Sequence, residues 1–155
     1  MIERVIFDWK GTLYDKDADK LLPGAAELVE YVNEQGIQQF LIGKGSYDMH
    51  KAVRRQGIAR FFTSILFKPE DKTIQDFADI ISLGEHERTL VIGDRVRSEI
   101  SIGNRLGAMT MQVQQGRFAH EGPLTLDQIP DIIVPDLATA QTHLAALQSL
   151  EQQQP

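Results

Sequence analysis

Short runs of β-branched and aromatic residues alternate along this chain with longer amphipathic stretches, and no other feature narrows its fold as far. The runs are 2–7, 37–42, 64–67, 89–92, 109–113 and 132–134. Between them, Ala25, Leu28, Val29 and Val32 recur at helical spacing after Pro23-Gly24 and stop at Gly36. Residues 48–56 read as a helix ending at Gly57. Ile74, Phe77, Ala78 and Ile81 mark another, closed by Gly84. Residues 100–106 form one closed by Gly107, and 137–150 form the last. A helical crossover returns the chain to the same edge of a sheet, so strands joined this way lie parallel. The expectation is an α/β fold: a three-layer, Rossmann-like core with a parallel sheet of five to six strands, helices on both faces and right-handed crossovers.

Composition sets outer limits. The 155 residues suit a single domain over 1–150, with 151–155 as a frayed polar tail. There is no cysteine, which excludes a disulfide scaffold, a thiolate metal site and a cysteine nucleophile. That usage fits a reducing compartment, so the expected location is cytoplasmic. The net charge is -6 and repels phosphate backbones, so no nucleic-acid partner is expected. No apolar run approaches the ~20 residues of a membrane span, and the N-terminus lacks the pattern of a signal peptide.

In an open parallel sheet, ligands bind beyond the carboxyl ends of the strands. Strand one ends in Asp8-Trp9-Lys10-Gly11-Thr12 and strand two in Gly43-Lys44-Gly45-Ser46. Strand three ends in Lys68-Pro69, and strand four in Gly93-Asp94-Arg95, with Glu99 five residues after Asp94. Acidic groups, lysines and glycine-rich turns thus converge on one edge. A carboxylate there can attack phosphorus. Several carboxylates together call for a hard cation, and oxygen ligands select Mg²⁺. Lysines balance phosphate charge, and glycines let backbone N–H groups face phosphate oxygens. The set describes phosphoryl transfer to an aspartate followed by hydrolysis.

At these residues the chain resembles the haloacid dehalogenase (HAD) superfamily of hydrolases. Residues 5–13 are similar to a hydrophobic strand followed by D-x-D-G-T. Phe67-Lys68-Pro69 is similar to a K-P motif, and residues 93–100 to G-D-x-x-x-x-D-I. The resemblance spans about residues 2–147. It implies a Mg²⁺-dependent phosphatase that forms an aspartyl-phosphate on Asp8. It implies metal ligation by Asp8, the backbone carbonyl of Lys10, Asp94 and, directly or through water, Glu99. It implies Lys68 as the clamp on Asp8 and the phosphoryl group, and Gly43, Lys44 and Lys68 as the phosphate-binding set.

Two positions depart from the family pattern. Its second motif-one Asp, the general acid/base, is Lys10 here. An ammonium donates a proton, but it cannot activate water unless its pKa falls strongly. Either Lys10 points away and leaves its carbonyl for metal, or its ammonium pairs with Asp8. The Ser or Thr expected at the end of strand two aligns with Gly43, so a hydroxyl is lost. These departures support an alternative, a weak or inactive member that binds a phosphorylated ligand or a protein partner without turnover. Dehalogenase chemistry on Asp8 ranks below both.

Other residues carry competing readings. Trp9 can stack on substrate or pack in the core. Arg95 and Arg97 can bind a second anionic group or lie solvated at a helix start. Arg117, His120 and Glu121 belong to a long loop, 114–130, that should overhang the site edge. Residues 15–19 read as a solvated flap. His50 and His143 fall in helices and His86 in a turn, without metal-ligand spacing. Neither the segment before strand two nor the one between residues 46 and 68 has room for a cap domain, so the expected core is capless with an open site. Such a site calls for an oligomer or a protein substrate to cover it, or it no longer turns over; the expected partners are a phosphorylated small molecule or protein substrate and a second copy of the chain.

Overall fold

The computed structural model describes residues 1–81 and 88–152. Gly84, His86 and the end of the expected tail lie outside the described residues. The first strand, β1 (Arg4–Phe7), leads into a two-stranded hairpin of β2 (Tyr14–Asp15) and β3 (Lys20–Leu21). Then follow α1 (Ala25–Glu34), β4 (Gln38–Lys44), α2 (Asp48–Arg55), β5 (Ser64–Lys68) and α3 (Ile74–Ala78). The second half holds β6 (Thr89–Gly93), a π-helical turn (Val96–Ile100), α4 (Ser101–Arg105), β7 (Met109–Val113), β8 (Ile132–Val134) and α5 (Leu137–Gln152).

Six strands form one parallel sheet in the order β5-β4-β1-β6-β7-β8. The six apolar runs of the sequence are its six strands. Alternation along β1 divides the core. Val5 and Phe7 face one side with Ala25, Leu28, Val29 and Val32 of α1, Ala52 and Val53 of α2, and Leu137, Ala140 and Leu144 of α5. Ile6 faces the other side with Phe77 of α3 and Ile102 of α4. Both faces are covered, as a parallel sheet requires.

The order fixes the site. From β1 the chain winds outward through β4 to β5, then crosses to β6 on the other side of β1 and winds outward again. The strand order reverses at β1, and such a switch point opens a crevice at the carboxyl ends. Phe7 is in register with Leu41 on one side and Ile92 on the other. The next residues, Asp8, Ile42 and Gly93, therefore arrive at the crevice at the same level.

Two local features depart from the expectation. The flap is a hairpin fastened to α2: Arg55 donates to the Asp19 carboxylate at 2.9 Å, and Gln56 donates to the Asp19 carbonyl at 3.0 Å. The segment after Asp94 is a π-helical turn rather than a plain helix start, with Ser98 at φ -126° and ψ -106°. Such turns re-aim side chains and recur at functional sites. Here it buries Glu99 beneath the crevice.

Candidate active site

Asp8 emerges from β1 into the crevice and is nearly buried. Its backbone N–H donates to the carbonyl of Ile92 at 3.1 Å, so β6 holds its position. Gly11 follows at φ +81°, a conformation few other residues adopt, and a Cβ there would collide with the Asp94 carboxylate. This tight turn returns Thr12 to the site. Its hydroxyl donates to Asp8 Oδ2 at 3.1 Å and lies 3.4 Å from Asp94 Oδ1. Asp94 ends β6, and the π-helical turn brings Glu99 back beside it. Glu99 Oε1 accepts the N–H groups of Asp94 and Arg95, each at 3.1 Å. One carboxylate oxygen from each of Asp8, Asp94 and Glu99 lies within 4.8 Å of the others.

The cation among these carboxylates is Lys72. Its Nζ lies 2.5 Å from Asp8 Oδ1 and 3.3 Å from Glu99 Oε2, and its side chain is 4 % exposed. The expected clamp, Lys68, is not at Asp8: its ammonium pairs with Asp76 at 3.0 Å. The reason is geometric. Lys68 ends β5, two strands from β1, a separation of about 10 Å. Lys72 lies past the strand, on the loop that returns toward the sheet centre. Thr73 then caps α3 in a capping box with Asp76, which fixes where the loop ends and aims Lys72 inward. The K-P dipeptide points to Lys68, whereas the lysine that reaches Asp8 is marked by its position directly before T-x-x-D and an apolar helix.

Gly43 also differs from its expected place. A Cβ on it would lie 2.5 Å from Phe67 Cε1 and 3.1 Å from Trp9 Cβ, so position 43 faces packed aromatic side chains. The β4 residue that lines the crevice is the next one, Lys44, which is ion-paired with Asp71 at 2.8 Å. Trp9 is fully buried, stacked on Tyr14 at 4.7 Å, so its role is packing. Lys10 is half-buried and lines the crevice without a carboxylate partner within ion-pair distance among the described residues. The reading in which its ammonium pairs with Asp8 does not hold; Lys72 takes that place. The turn hydrogen bonds run from Gly11 N–H to the Tyr14 carbonyl and from Tyr14 N–H to the Trp9 carbonyl. They leave the Lys10 carbonyl out.

The long loop closes one wall. Gln115 donates to the Thr12 carbonyl at 3.0 Å, and Arg117 and Phe118 line the crevice. Glu121 pairs with Arg95 at 3.0 Å and accepts the Arg97 N–H at 3.2 Å. His120 is exposed and outside the lining. His50 packs edge-on against Phe67 at 5.1 Å.

Three buried carboxylates around one ammonium carry an excess of negative charge, and their titration reflects it. Burial pushes the Asp8 carboxyl up, but the Lys72 ammonium and the Asp94 hydrogen bond outweigh it and hold Asp8 below the usual range. Burial, followed by the charges of Asp8 and Glu99, pushes Asp94 up to about 10. Burial and Asp8 likewise raise Glu99. Lys72 is held above the ordinary lysine range, because Asp8 and Glu99 outweigh its burial. Burial, then Lys16, lowers Lys10. A cluster of hard oxygen donors that must take up a proton to relieve its own repulsion suits a divalent cation, which would supply the missing positive charge.

Comparison with known proteins follows the same lines. Residues 66–140 match the HAD-hydrolase-like family model. Among curated protein sequences none matches significantly. An uncharacterized protein from Listeria monocytogenes serotype 4b superposes with a TM-score of 0.71 at 21% identity, over 96% of this chain and 99% of that one. YfnB of Bacillus subtilis, assigned as a HAD-hydrolase and solved bound to magnesium, gives 0.67 at 22% identity, over 81% of this chain and 57% of YfnB. CbbY of Rhodobacter sphaeroides in complex with phosphate gives 0.66 at 16% identity, over 89% and 96%. The sheet order and the acidic crevice at its switch point agree with the match of residues 66–140 to the HAD-hydrolase-like family model, and the fold is that of these solved structures, with no cap domain among the described residues.

Proposed function

We propose that the chain is a Mg²⁺-dependent phosphatase that works through an aspartyl-phosphate on Asp8. One observation carries the reading: Asp8 is held ionised at the switch point, one oxygen on Lys72 and the other on Thr12, with Asp94 and Glu99 within reach of a shared cation. Asp8, the carbonyl of Lys10 and Asp94 would hold the metal, with Glu99 behind them. The metal would neutralise the carboxylates and the phosphate and so allow two anions to meet.

Asp8 attacks phosphorus, the P–O bond to the leaving group breaks, and the leaving oxygen takes a proton from the Lys10 ammonium. Thr12 orients the attacking carboxylate, and Lys72 balances charge on the transferring group. Water then attacks phosphorus of the acyl-phosphate, the P–O bond to Asp8 breaks, inorganic phosphate leaves with the water's protons, and Asp8 is restored while Lys10 is reprotonated from solvent. This second step lacks a carboxylate base: the acidic residues lining the crevice are Asp8, Asp71, Asp94 and Glu99, and Asp71 is paired with Lys44.

That shortage favours a second reading, in which the fold binds a phosphorylated ligand or protein with little turnover. The two separate on one experiment. Hydrolysis of a generic phosphate ester with Mg²⁺, lost in Asp8→Asn, supports the phosphatase. Binding of inorganic phosphate without hydrolysis, with turnover appearing in Lys10→Asp, supports the second. A small phosphorylated substrate, a cytoplasmic location and a homo-oligomer that covers the crevice are parts of the same proposal. Among the described residues no helix is long and apolar enough to cross a membrane.

A further inference from the structure

The crevice, about 560 Å³, carries a charge unlike that of the chain around it. The chain is acidic at -6, yet seven of the residues lining the crevice are Lys or Arg and four are Asp or Glu. The surplus is on the wall formed by the π-helical turn and the loop after β7. Arg95 is paired with Glu121 and lies over the Phe118 ring at 4.1 Å. Arg117 sits on the same ring at 5.4 Å. Arg97 is steadied through backbone: its N–H reaches Glu121, and its guanidinium donates to the Gly122 carbonyl at 3.3 Å. Arg97 and Arg117 have no carboxylate within ion-pair distance among the described residues, and both are exposed to the crevice mouth. Glu121 is thus spent on Arg95 and on the backbone, and two guanidiniums remain for a ligand. A guanidinium fork matches carboxylate and phosphate oxygens with paired hydrogen bonds.

We infer that the crevice takes a small substrate with a second anionic group, phosphate or carboxylate, which Arg97 and Arg117 hold while the first phosphate lies at Asp8. The inference rests on the phosphatase reading only for the place of the first phosphate. It also answers how an open, capless site selects a substrate: recognition that a cap would supply comes from the loop after β7.

The test uses non-hydrolysable probes on the full chain with Mg²⁺ present, read by calorimetry. Propylphosphonate supplies one anion. Methylene-, propane-1,3- and pentane-1,5-bisphosphonate supply two at increasing separation, and 3-phosphonopropionate supplies a carboxylate as the second. At least one dianionic probe binds tenfold or more tighter than propylphosphonate, a difference of about 1.4 kcal/mol that a single charge-assisted hydrogen-bonded contact supplies. The tighter arm names the second group as phosphate or carboxylate. The preference falls to about twofold in Arg97→Gln/Arg117→Gln, whose altered side chains are exposed and outside the core. Chelation of Mg²⁺ by the probes acts equally on both proteins. Two results overturn the inference: every dianionic probe within about twofold of propylphosphonate, or a preference undiminished in the double variant. Failure of the phosphatase reading looks different, as a dianion preference that persists while Asp8 is never phosphorylated by substrate.

Discussion

Replacing Lys72 with methionine separates the site described here from one built on Lys68. Methionine keeps most of the volume and removes the charge. Lys72, Asp8 and Glu99 have side-chain exposures of 4 %, 9 % and 2 %, so the two ion pairs are screened little by water. Removing one partner of a buried pair typically costs about 3–5 kcal/mol, because the other charge is left desolvated. The site can relieve part of this by protonating Glu99, already raised by burial and by Asp8. The loss at pH 7 is therefore near the lower end, about 3 kcal/mol, or roughly 6–12 °C in Tm for a chain of this size. Its pH dependence has a definite sign. A carboxyl whose folded pKa lies above its unfolded one favours the folded state most at low pH, and that contribution shrinks as pH rises toward the folded pKa. The deficit of Lys72→Met against the parent thus grows from pH 5 to pH 8, by up to about 1.4 kcal/mol per unit. Urea unfolding in EDTA at pH 5, 6.5 and 8 measures it, and added Mg²⁺ recovers part. Lys68→Met is the control: its pair with Asp76 is partly buried and apart from the three-carboxylate cluster, so the loss is smaller, about 1–2 kcal/mol, and independent of Mg²⁺. A Lys72→Met deficit below 1 kcal/mol and flat with pH, or a larger loss at Lys68, refutes the reasoning.

Further outcomes follow from the same geometry. Gly43→Thr destabilises by about 1–3 kcal/mol through overpacking against Phe67 and Trp9 and restores no activity, which thermal unfolding and phosphate-ester turnover together check. Gly11→Ala places a side chain at φ +81° against Asp94 and lowers both stability and Mg²⁺ affinity, read by unfolding and by calorimetry. Lys10→Asp supplies the missing carboxylate base and raises turnover by about 10²–10⁴ over the parent in steady-state kinetics; unchanged turnover counts against the lack of a base as the limit on rate. Asp94, pushed up to about 10, must lose its proton when a cation binds, so Mg²⁺ affinity rises as pH increases from 6 to 9, by up to about tenfold per unit; a flat profile counts against Asp94 as a ligand.

Trp9, Lys10 and Gly11 show the limits of a linear reading. Their order in the sequence places them beside Asp8, but only the fold turns Trp9 into the core, leaves Lys10 at the crevice edge and presses Gly11 against Asp94. Local pattern was informative wherever the physics is local. A run of apolar β-branched residues between amphipathic stretches has few ways to bury itself, so the strands, the parallel sheet and the edge that carries Asp8, Asp94 and Glu99 could be read from spacing. The lysine beside Asp8 could not. Lys68 and Lys72 are four residues apart and chemically identical, and the nearer match to a motif was the one two strands away. Strand order, the capped start of α3 and the return of the loop decide between them, and each depends on contacts distant in sequence. The sequence by itself determined the architecture and the strand ends that carry Asp8 and Asp94, because periodicity dictates burial. The tertiary structure alone decided which cation pairs with Asp8, which β4 residue faces the crevice, and which arginines of its wall lack a carboxylate partner among the described residues, because these are matters of where side chains meet in space.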